Sequence, residues 1–238
     1  MSAIIFDVDG TLTEPREKID PFFLQELVGL SMSYSIYLAT GSDYVKTEEQ
    51  LDTWFLENII SYSFNCSGNS VWQKGQEVYR EDWAPPVEVL DWLNSELNNS
   101  AFEHKTGFHF DKRPGMLNFS IVGRNATPLQ RVLYSEFDKS TKERLNLSIK
   151  FNNAFKDKYN ITAQIAGRTG FDIYREGKDK SQILDYFETI PILFFGDDTQ
   201  EGGNDYTLAK AIEERDNKED KVFKVSSPSE TRYLVSLL

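Results

Sequence analysis

Apolar positions along the first third of the chain fall into short runs separated by segments of helical period. Ala3–Phe6 is uniformly apolar and short, as expected of a strand buried on both faces. After Asp20-Pro21, a helix cap followed by proline, Phe22, Phe23, Leu27 and Leu30 recur at helical spacing. Ser35–Ala39 reads as a second strand, Asp43–Leu56 as one helix with Val45, Leu51 and Phe55 near one face, and Ser61–Asn65 as a third strand. This βαβαβ rhythm predicts a parallel sheet with crossover helices. A hairpin follows, with Val71–Gln73 and Glu77–Tyr79 joined by Lys74-Gly75.

The pattern then changes. Pro85-Pro86 opens a helix carrying Val89, Leu90, Trp92, Leu93 and Leu97. Strands are expected around Thr106–Phe110 and Leu117–Val122, one long helical region from Thr127-Pro128 to about Lys156, and strands again at Thr162–Ile165 and Phe171–Tyr174. Strands paired through turns suggest a separate α+β layer. The last stretch returns to the first pattern: strand Ile190–Phe195, helix Tyr206–Ile212, strand Lys221–Val225 and helix Ser229–Leu238. The charged run Glu213–Lys221 reads as a solvated loop or helix end. The expected fold is therefore α/β: a discontinuous parallel-sheet core over 1–80 and 178–238, with an inserted α+β domain over 81–177.

Composition narrows the function. The 238 residues carry 26 Lys+Arg against 38 Asp+Glu, a net charge of −12. This acidity argues against a nucleic-acid binder, which needs a basic face. It is unevenly spread: residues 104–131 hold five bases against one acid, whereas 185–220 hold eleven acids against three bases. The start has no basic leader, and no stretch has the apolar length of a membrane span, which predicts a soluble cytoplasmic protein without a membrane partner. Cys66 is the one cysteine, so no intrachain disulfide forms, and its ordinary reading is a small buried residue. His104 and His109 lack the spacing and partners of a zinc site.

The chemistry concentrates in Asp7-Val8-Asp9-Gly10-Thr11-Leu12, directly after an apolar strand. Two carboxylates at the C-terminal end of a parallel strand face the usual ligand crevice of an open α/β sheet. One can attack phosphorus and the other can serve as general acid/base, with a divalent cation to offset carboxylate–phosphate repulsion. D-x-D alone is an ordinary acidic turn. D-x-D-G-T-L after a strand resembles the haloacid dehalogenase superfamily of phosphoryl-transfer enzymes. Three further pieces appear in that superfamily's order: Thr40-Gly41-Ser42-Asp43, Lys180 in Gly177-Lys178-Asp179-Lys180, and Phe194-Phe195-Gly196-Asp197-Asp198 with Gly202-Gly203-Asn204-Asp205. Each has a plainer reading, as a helix cap, a surface lysine and an acidic loop.

The inserted segment carries Arg113, Arg124 and Arg131 within nineteen residues, which can converge on one anion or stand as scattered solvated arginines. The run Arg113-Pro114-Gly115-Met116-Leu117-Asn118, Gly123-Arg124, Arg131, Gly170-Phe171-Asp172-Ile173-Tyr174 and the closing Ser227-Pro228-Ser229-Glu230-Thr231-Arg232 resembles the eukaryotic α-phosphomannomutase family over essentially the whole chain.

That resemblance implies a Rossmannoid core with a substrate-selecting cap. Asp7 becomes the phosphorylated nucleophile, Asp9 the general acid/base, and Ser42 and Lys180 phosphoryl contacts. Magnesium is held by Asp7, the Asp9 backbone carbonyl and Asp197, with Asp205 nearby. Arg16, Arg113, Asn118, Arg124, Arg131, Gly170 and Asp172 take the sugar phosphate. A hexose 1,6-bisphosphate activator, a phosphosugar substrate and a homodimer through the cap are implied as well. The chain departs from the family pattern at Gly170, usually serine, at Thr40, usually glycine, at Pro114, usually asparagine, and after the third strand, where the family's P-E-N-G reads Asn65-Cys66-Ser67-Gly68-Asn69. Two activities stay open at this point: a mutase interconverting mannose 6-phosphate and mannose 1-phosphate, and a magnesium-dependent sugar-phosphate phosphatase using the same nucleophile.

Overall fold

The structure is a computed structural model describing residues 2–238. The described residues divide into two compact units: 2–81, 177–201 and 205–238 form one, and Asp82–Glu176 with Gly202–Asn204 the other. No helix among the described residues is long and apolar enough to cross a membrane.

The first unit is built on a seven-stranded sheet. Its strands are β1 (Ala3–Phe6), β2 (Ser35–Ala39), β3 (Ile60–Asn65), β4 (Ser70–Gln73), β5 (Gln76–Arg80), β10 (Ile192–Gly196) and β11 (Lys221–Lys224), in the order β11-β10-β1-β2-β3-β4-β5. The five strands from β11 to β3 are parallel, and β4 and β5 add an antiparallel hairpin. Alternate residues of β1 feed opposite faces. Ile4 and Phe6 join a cluster with Phe23, Leu27, Leu38 and Phe55, while Ala3 and Ile5 join Phe64, Phe187, Phe194 and Leu208. Full burial of each such side chain contributes roughly 1.5–3 kcal/mol. Burial on both sides explains why β1 is apolar throughout.

The chain runs outward from β1 through β2 to β3, then returns to the other side of β1 as β10 and β11. Strand order thus reverses between β1 and β10. A crevice forms at such a switch point, outside the carboxyl ends of the strands. Asp7 follows β1 and Asp197 follows β10.

The second unit holds an antiparallel sheet, order β6-β7-β9-β8, from Phe110–Arg113, Met116–Phe119, Gly170–Arg175 and Ile161–Ala166 respectively. Leu117, Phe119, Phe171 and Ile173 pack with Val89 and Leu93 of α4 (Val87–Asn99), Tyr134 of α5 (Pro128–Thr141), and Phe151 and Phe155 of α6 (Glu143–Tyr159). The intervening Asn118 and Asp172 are paired across β7 and β9, so the pleat turns them to the opposite face.

Three expectations need correction. The helix expected over Asp43–Leu56 is two, α2 (Tyr44–Gln50) and α3 (Thr53–Asn58). Leu51 is extended, and the Asp52 carboxylate caps the second helix by accepting from Phe55 N. The long helix after Thr127 breaks at Lys142, which takes a left-handed conformation (φ 55°), giving α5 and α6. The strand placed near Thr106–Phe110 begins only at Phe110. Gly107 turns the chain at φ 68°, and Thr106 instead donates from N and Oγ1 to the Val122 carbonyl.

Candidate active site

Asp7 leaves β1 with its N–H donating to the Phe195 carbonyl of β10, which fixes its backbone at the switch point. Its side chain is buried. Lys180, in the 3-10 helix Lys180–Tyr186, is 1% exposed and donates from Nζ to Asp7 Oδ1 at 2.6 Å and to Asp205 Oδ1 at 2.5 Å. Burial opposes the ammonium, but the Asp205 and Asp7 carboxylates outweigh it and hold Lys180 above its ordinary pKa. Asp205 precedes α7 (Tyr206–Glu213) without capping it, because its carboxylate is turned to Lys180 and to Asp198 N.

Asp197 completes the acidic group. Asp7, Asp197 and Asp205 each offer an oxygen within 4.8 Å of the others. Burial and the Asp205 charge push Asp7 well above the usual carboxylate range, against the pull of Lys180. Burial and Asp205 likewise push Asp197 up to about 7. Three carboxylates facing one ammonium are short of positive charge, and Asp7 Oδ2 is buried without a hydrogen-bond partner. Clustered hard carboxylate oxygens, one of them without a hydrogen-bond partner, fit a hard divalent cation such as magnesium. Gly10 permits this packing: at φ +90° it passes so close to Asp197 that a Cβ there would lie 2.3 Å from Oδ2.

Asp9 stands apart from that cluster. Its Oδ1 accepts from Arg16 N at 3.0 Å and from Gln50 Nε2 at 2.8 Å, and its Oδ2 accepts from Ser42 Oγ at 3.4 Å. The Arg16 side chain is exposed. Gln50, buried at the end of α2, also donates to Thr13 Oγ1 at 3.0 Å. Ser42 N donates to Thr40 Oγ1 at 3.1 Å, so the threonine that departs from the family pattern ties down this loop.

In the second unit Arg113, Asn118, Arg124, Arg131 and Asp172 come together. Asp111 accepts from Arg113 Nη2 at 2.7 Å and from Arg124 Nη2 at 3.2 Å. Arg124 Nη1 donates to Asn118 Oδ1 at 3.1 Å, Asn118 Nδ2 donates to Asp172 Oδ1 at 2.6 Å, and Arg131 Nη2 donates to the Arg124 carbonyl at 2.7 Å. Burial raises Asp172, opposed by Arg113, Asn118 and Arg124. Gly170 adjoins this group but offers no side chain; a Cβ there would meet the Phe119 carbonyl at 2.9 Å. The contacts of Gln50 with Asp9 and of Asp111 with the arginines have no signal in the sequence, where Gln50 looks like any polar helix residue and Asp111 is only the one acid of a basic stretch.

A sequence model described as eukaryotic phosphomannomutase matches residues 23–237. The chain belongs to the eukaryotic phosphomannomutase family. It is 35% identical over 225 residues to the phosphomannomutase of Schizosaccharomyces pombe, covering 86% of this chain and 84% of that protein. It is 32% identical over 241 residues to that of Solanum lycopersicum, covering 98% and 92%. Among solved structures, an IMP-nucleotidase of Plasmodium falciparum superposes with a TM-score of 0.66 at 12% identity, covering 99% of this chain and 67% of that one. The C-terminal domain of C. albicans trehalose-6-phosphate phosphatase gives 0.65 at 15% identity, covering 99% and 91%. At such identities these neighbours establish a shared fold, an α/β Rossmannoid core with a second α+β unit.

Proposed function

We propose that the chain interconverts mannose 6-phosphate and mannose 1-phosphate through a phosphoryl group carried on Asp7. The observation that carries this reading is the buried Asp7–Lys180–Asp205 network at the end of β1, with Asp9 held in a separate set of hydrogen bonds. Nucleophile and acid/base thus sit in different environments, the arrangement that lets two neighbouring carboxylates play two roles.

In the forward half-reaction the sugar C1 hydroxyl of mannose 6-phosphate attacks the phosphorus of phospho-Asp7. Asp9 takes the hydroxyl proton, the acyl-phosphate bond breaks, and Asp7 leaves as a carboxylate. The resulting hexose 1,6-bisphosphate reorients, and Asp7 attacks the other phosphorus. The bond from phosphorus to the sugar oxygen breaks, and Asp9 returns its proton to that oxygen. Hexose 1,6-bisphosphate serves as activator by charging Asp7. Ser42 and Lys180 contact the phosphoryl oxygens in transit, and Arg16 takes the sugar. Asp7, the Asp9 carbonyl, Asp197 and Asp205 would hold Mg2+, which when bound offsets the repulsion between Asp7 and phosphate and stabilises oxygen charge in the transition state.

A mutase must bind two phosphates at once. Arg113, Arg124 and Arg131 supply the second anion site, with Asn118 and Asp172 directed to sugar hydroxyls. This favours a mutase over a hydrolase. Leu129, Val132 and Leu133 on α5, with Leu145 and Ile149 on α6, are exposed apolar residues that support a homodimer through the cap.

The test supplies mannose 1-phosphate, Mg2+ and a trace of hexose 1,6-bisphosphate. Mannose 6-phosphate is the expected product, and free phosphate without it would establish a phosphatase instead. Arg124→Ala should raise KM about tenfold or more, since bonds to charged groups contribute roughly 1.5–3 kcal/mol. Folding should weaken much less than substrate use, because Asp111 keeps its bond to Arg113. An unchanged KM would remove the arginine pocket from the argument.

A further inference from the structure

The turn between β3 and β4 is strained. Cys66, Ser67 and Gly68 take φ of 50°, 59° and 89°, three successive residues in the left-handed region, two of them with a Cβ. Such backbone persists only where its surroundings over-determine it, and it clusters at functional sites. Here the surroundings are two loops that carry proposed phosphoryl contacts.

Toward the first loop, Cys66 N donates to the Ser42 carbonyl and Ser67 N to the Thr40 carbonyl, both at 2.9 Å. Buried Asn65 adds Nδ2 bonds to Thr47 Oγ1 at 2.8 Å and to the Ser42 carbonyl at 3.4 Å. Toward the second, Asn69 Nδ2 donates to the Lys178 carbonyl at 2.9 Å and to the Cys66 carbonyl at 2.8 Å, while Gln182 Nε2 donates to the Ser67 carbonyl at 2.8 Å. Gly68 lies against the Lys180–Tyr186 helix so closely that a Cβ would meet Ile183 Cγ2 at 2.9 Å and Gln182 Cγ at 3.0 Å. Asn69 is fully buried and its Oδ1 has no partner. An amide placed there for packing alone is a poor choice, because the unpaired oxygen is penalised. Its two donated bonds are what it contributes.

We propose that Asn65–Asn69 is a positioning strut that sets the Ser42 loop and the Lys180 helix at one fixed spacing, so that hydroxyl and ammonium reach a single phosphoryl group on Asp7 together. Asn69 and Gln182 are its positioning residues on the lysine side. The strut rests on the function proposed above. It acts through backbone carbonyls, so neither residue touches substrate. It also gives one departure from P-E-N-G a purpose: Asn65 grips the Ser42 loop, while Asn69 at the far end of the turn grips the lysine loop.

The test compares Asn69→Leu, which keeps the branching and number of side-chain heavy atoms but removes both donated bonds, with the milder Gln182→Leu, in the full chain well below the melting temperature. Misplacing a catalytic group by an ångström can lower the rate by up to about a hundredfold. Asn69→Leu should therefore lower kcat by roughly ten- to a hundredfold and weaken beryllofluoride capture at Asp7 in parallel, and Gln182→Leu should do the same less strongly. KM for mannose 1-phosphate, set by the arginine site, should stay within about threefold. Wild-type kcat and beryllofluoride affinity in both variants, or in Gln182→Leu when Asn69→Leu does not fold, overturn the strut. So does a rise in KM with beryllofluoride affinity unmoved, the mark of general loosening. Wild-type protein that captures beryllofluoride and turns over sugar phosphate while the variants match it leaves the proposed function standing without the strut. Wild-type protein that does neither removes both.

Discussion

Lys180→Met places a side chain of similar length and no charge between Asp7 and Asp205. In the wild type Nζ lies 2.6 and 2.5 Å from two carboxylates that are themselves 3% and 0% exposed. Water cannot replace the ammonium, so both acids lose their counter-charge while Asp197 still presses on them. Breaking a buried pair in this way is destabilising by about 3–5 kcal/mol. Whole domains are stable by only about 5–15 kcal/mol. At about 2–4 °C per kcal/mol, the midpoint of the first unit should fall by about 6–20 °C. The assay is thermal and urea unfolding in a chelating buffer, so that no cation substitutes for the lysine. Trp54 and Trp72 report on this unit. Adding Asp205→Asn to Lys180→Met removes one stranded charge and should recover part of the loss. A Lys180→Met chain as stable as wild type, or a double variant less stable than the single one, would refute the picture of one coupled buried network.

Asp172→Asn should stabilise the second unit at neutral pH. Burial raises the Asp172 pKa in the folded chain, so folding retains a proton that the unfolded chain releases, and stability falls as pH climbs through the folded value. The amide escapes this, so its advantage should shrink as pH falls; melting at pH 4 and pH 7.5 checks it, and an equal difference at both refutes it. Gly10→Ala should cripple magnesium binding, because a left-handed residue acquires a Cβ 2.3 Å from Asp197 Oδ2. Titration calorimetry with Mg2+ should show affinity reduced about tenfold or more, and wild-type affinity would mean the loop re-forms without Asp197 moving.

Much of the fold was legible because burial writes itself into spacing. β1 and β10 are apolar at every position since both faces of a parallel sheet are covered, whereas Asn118 and Asp172 are the polar positions alternating with Leu117, Phe119, Phe171 and Ile173. The D-x-D-G-T-L motif was legible for a local reason: the chain must turn at once after β1, and only glycine passes Asp197. Breaks within helices were not. Leu51-Asp52 and Lys142 carry no glycine or proline, and their conformations answer to caps and tertiary packing. Lys180 meets Asp7 across 173 residues, a pairing that only the resemblance to a known family made legible, since no local pattern survives that distance. Gln50, which meets Asp9 across 41 residues, stayed hidden. The left-handed Cys66-Ser67 pair has no sequence signature, since neither residue favours that conformation.

The discontinuity of the first unit also orders its synthesis. β1 emerges before the other strands, yet its pairing with β10 joins Ala3 to Ile192, so one edge of an all-apolar strand stays open until β10 has been made. Asp82–Glu176 can complete its own sheet and helices in the meantime, because all its strand partners lie within it. Non-local parallel pairing is slow and exposes strand edges to aggregation while it waits. A ribosome stalled or a message truncated before β10 would therefore release a finished second unit attached to an unfinished sheet. Such a product would lack both Asp197 and Asp205, and would be a substrate for chaperones or proteases.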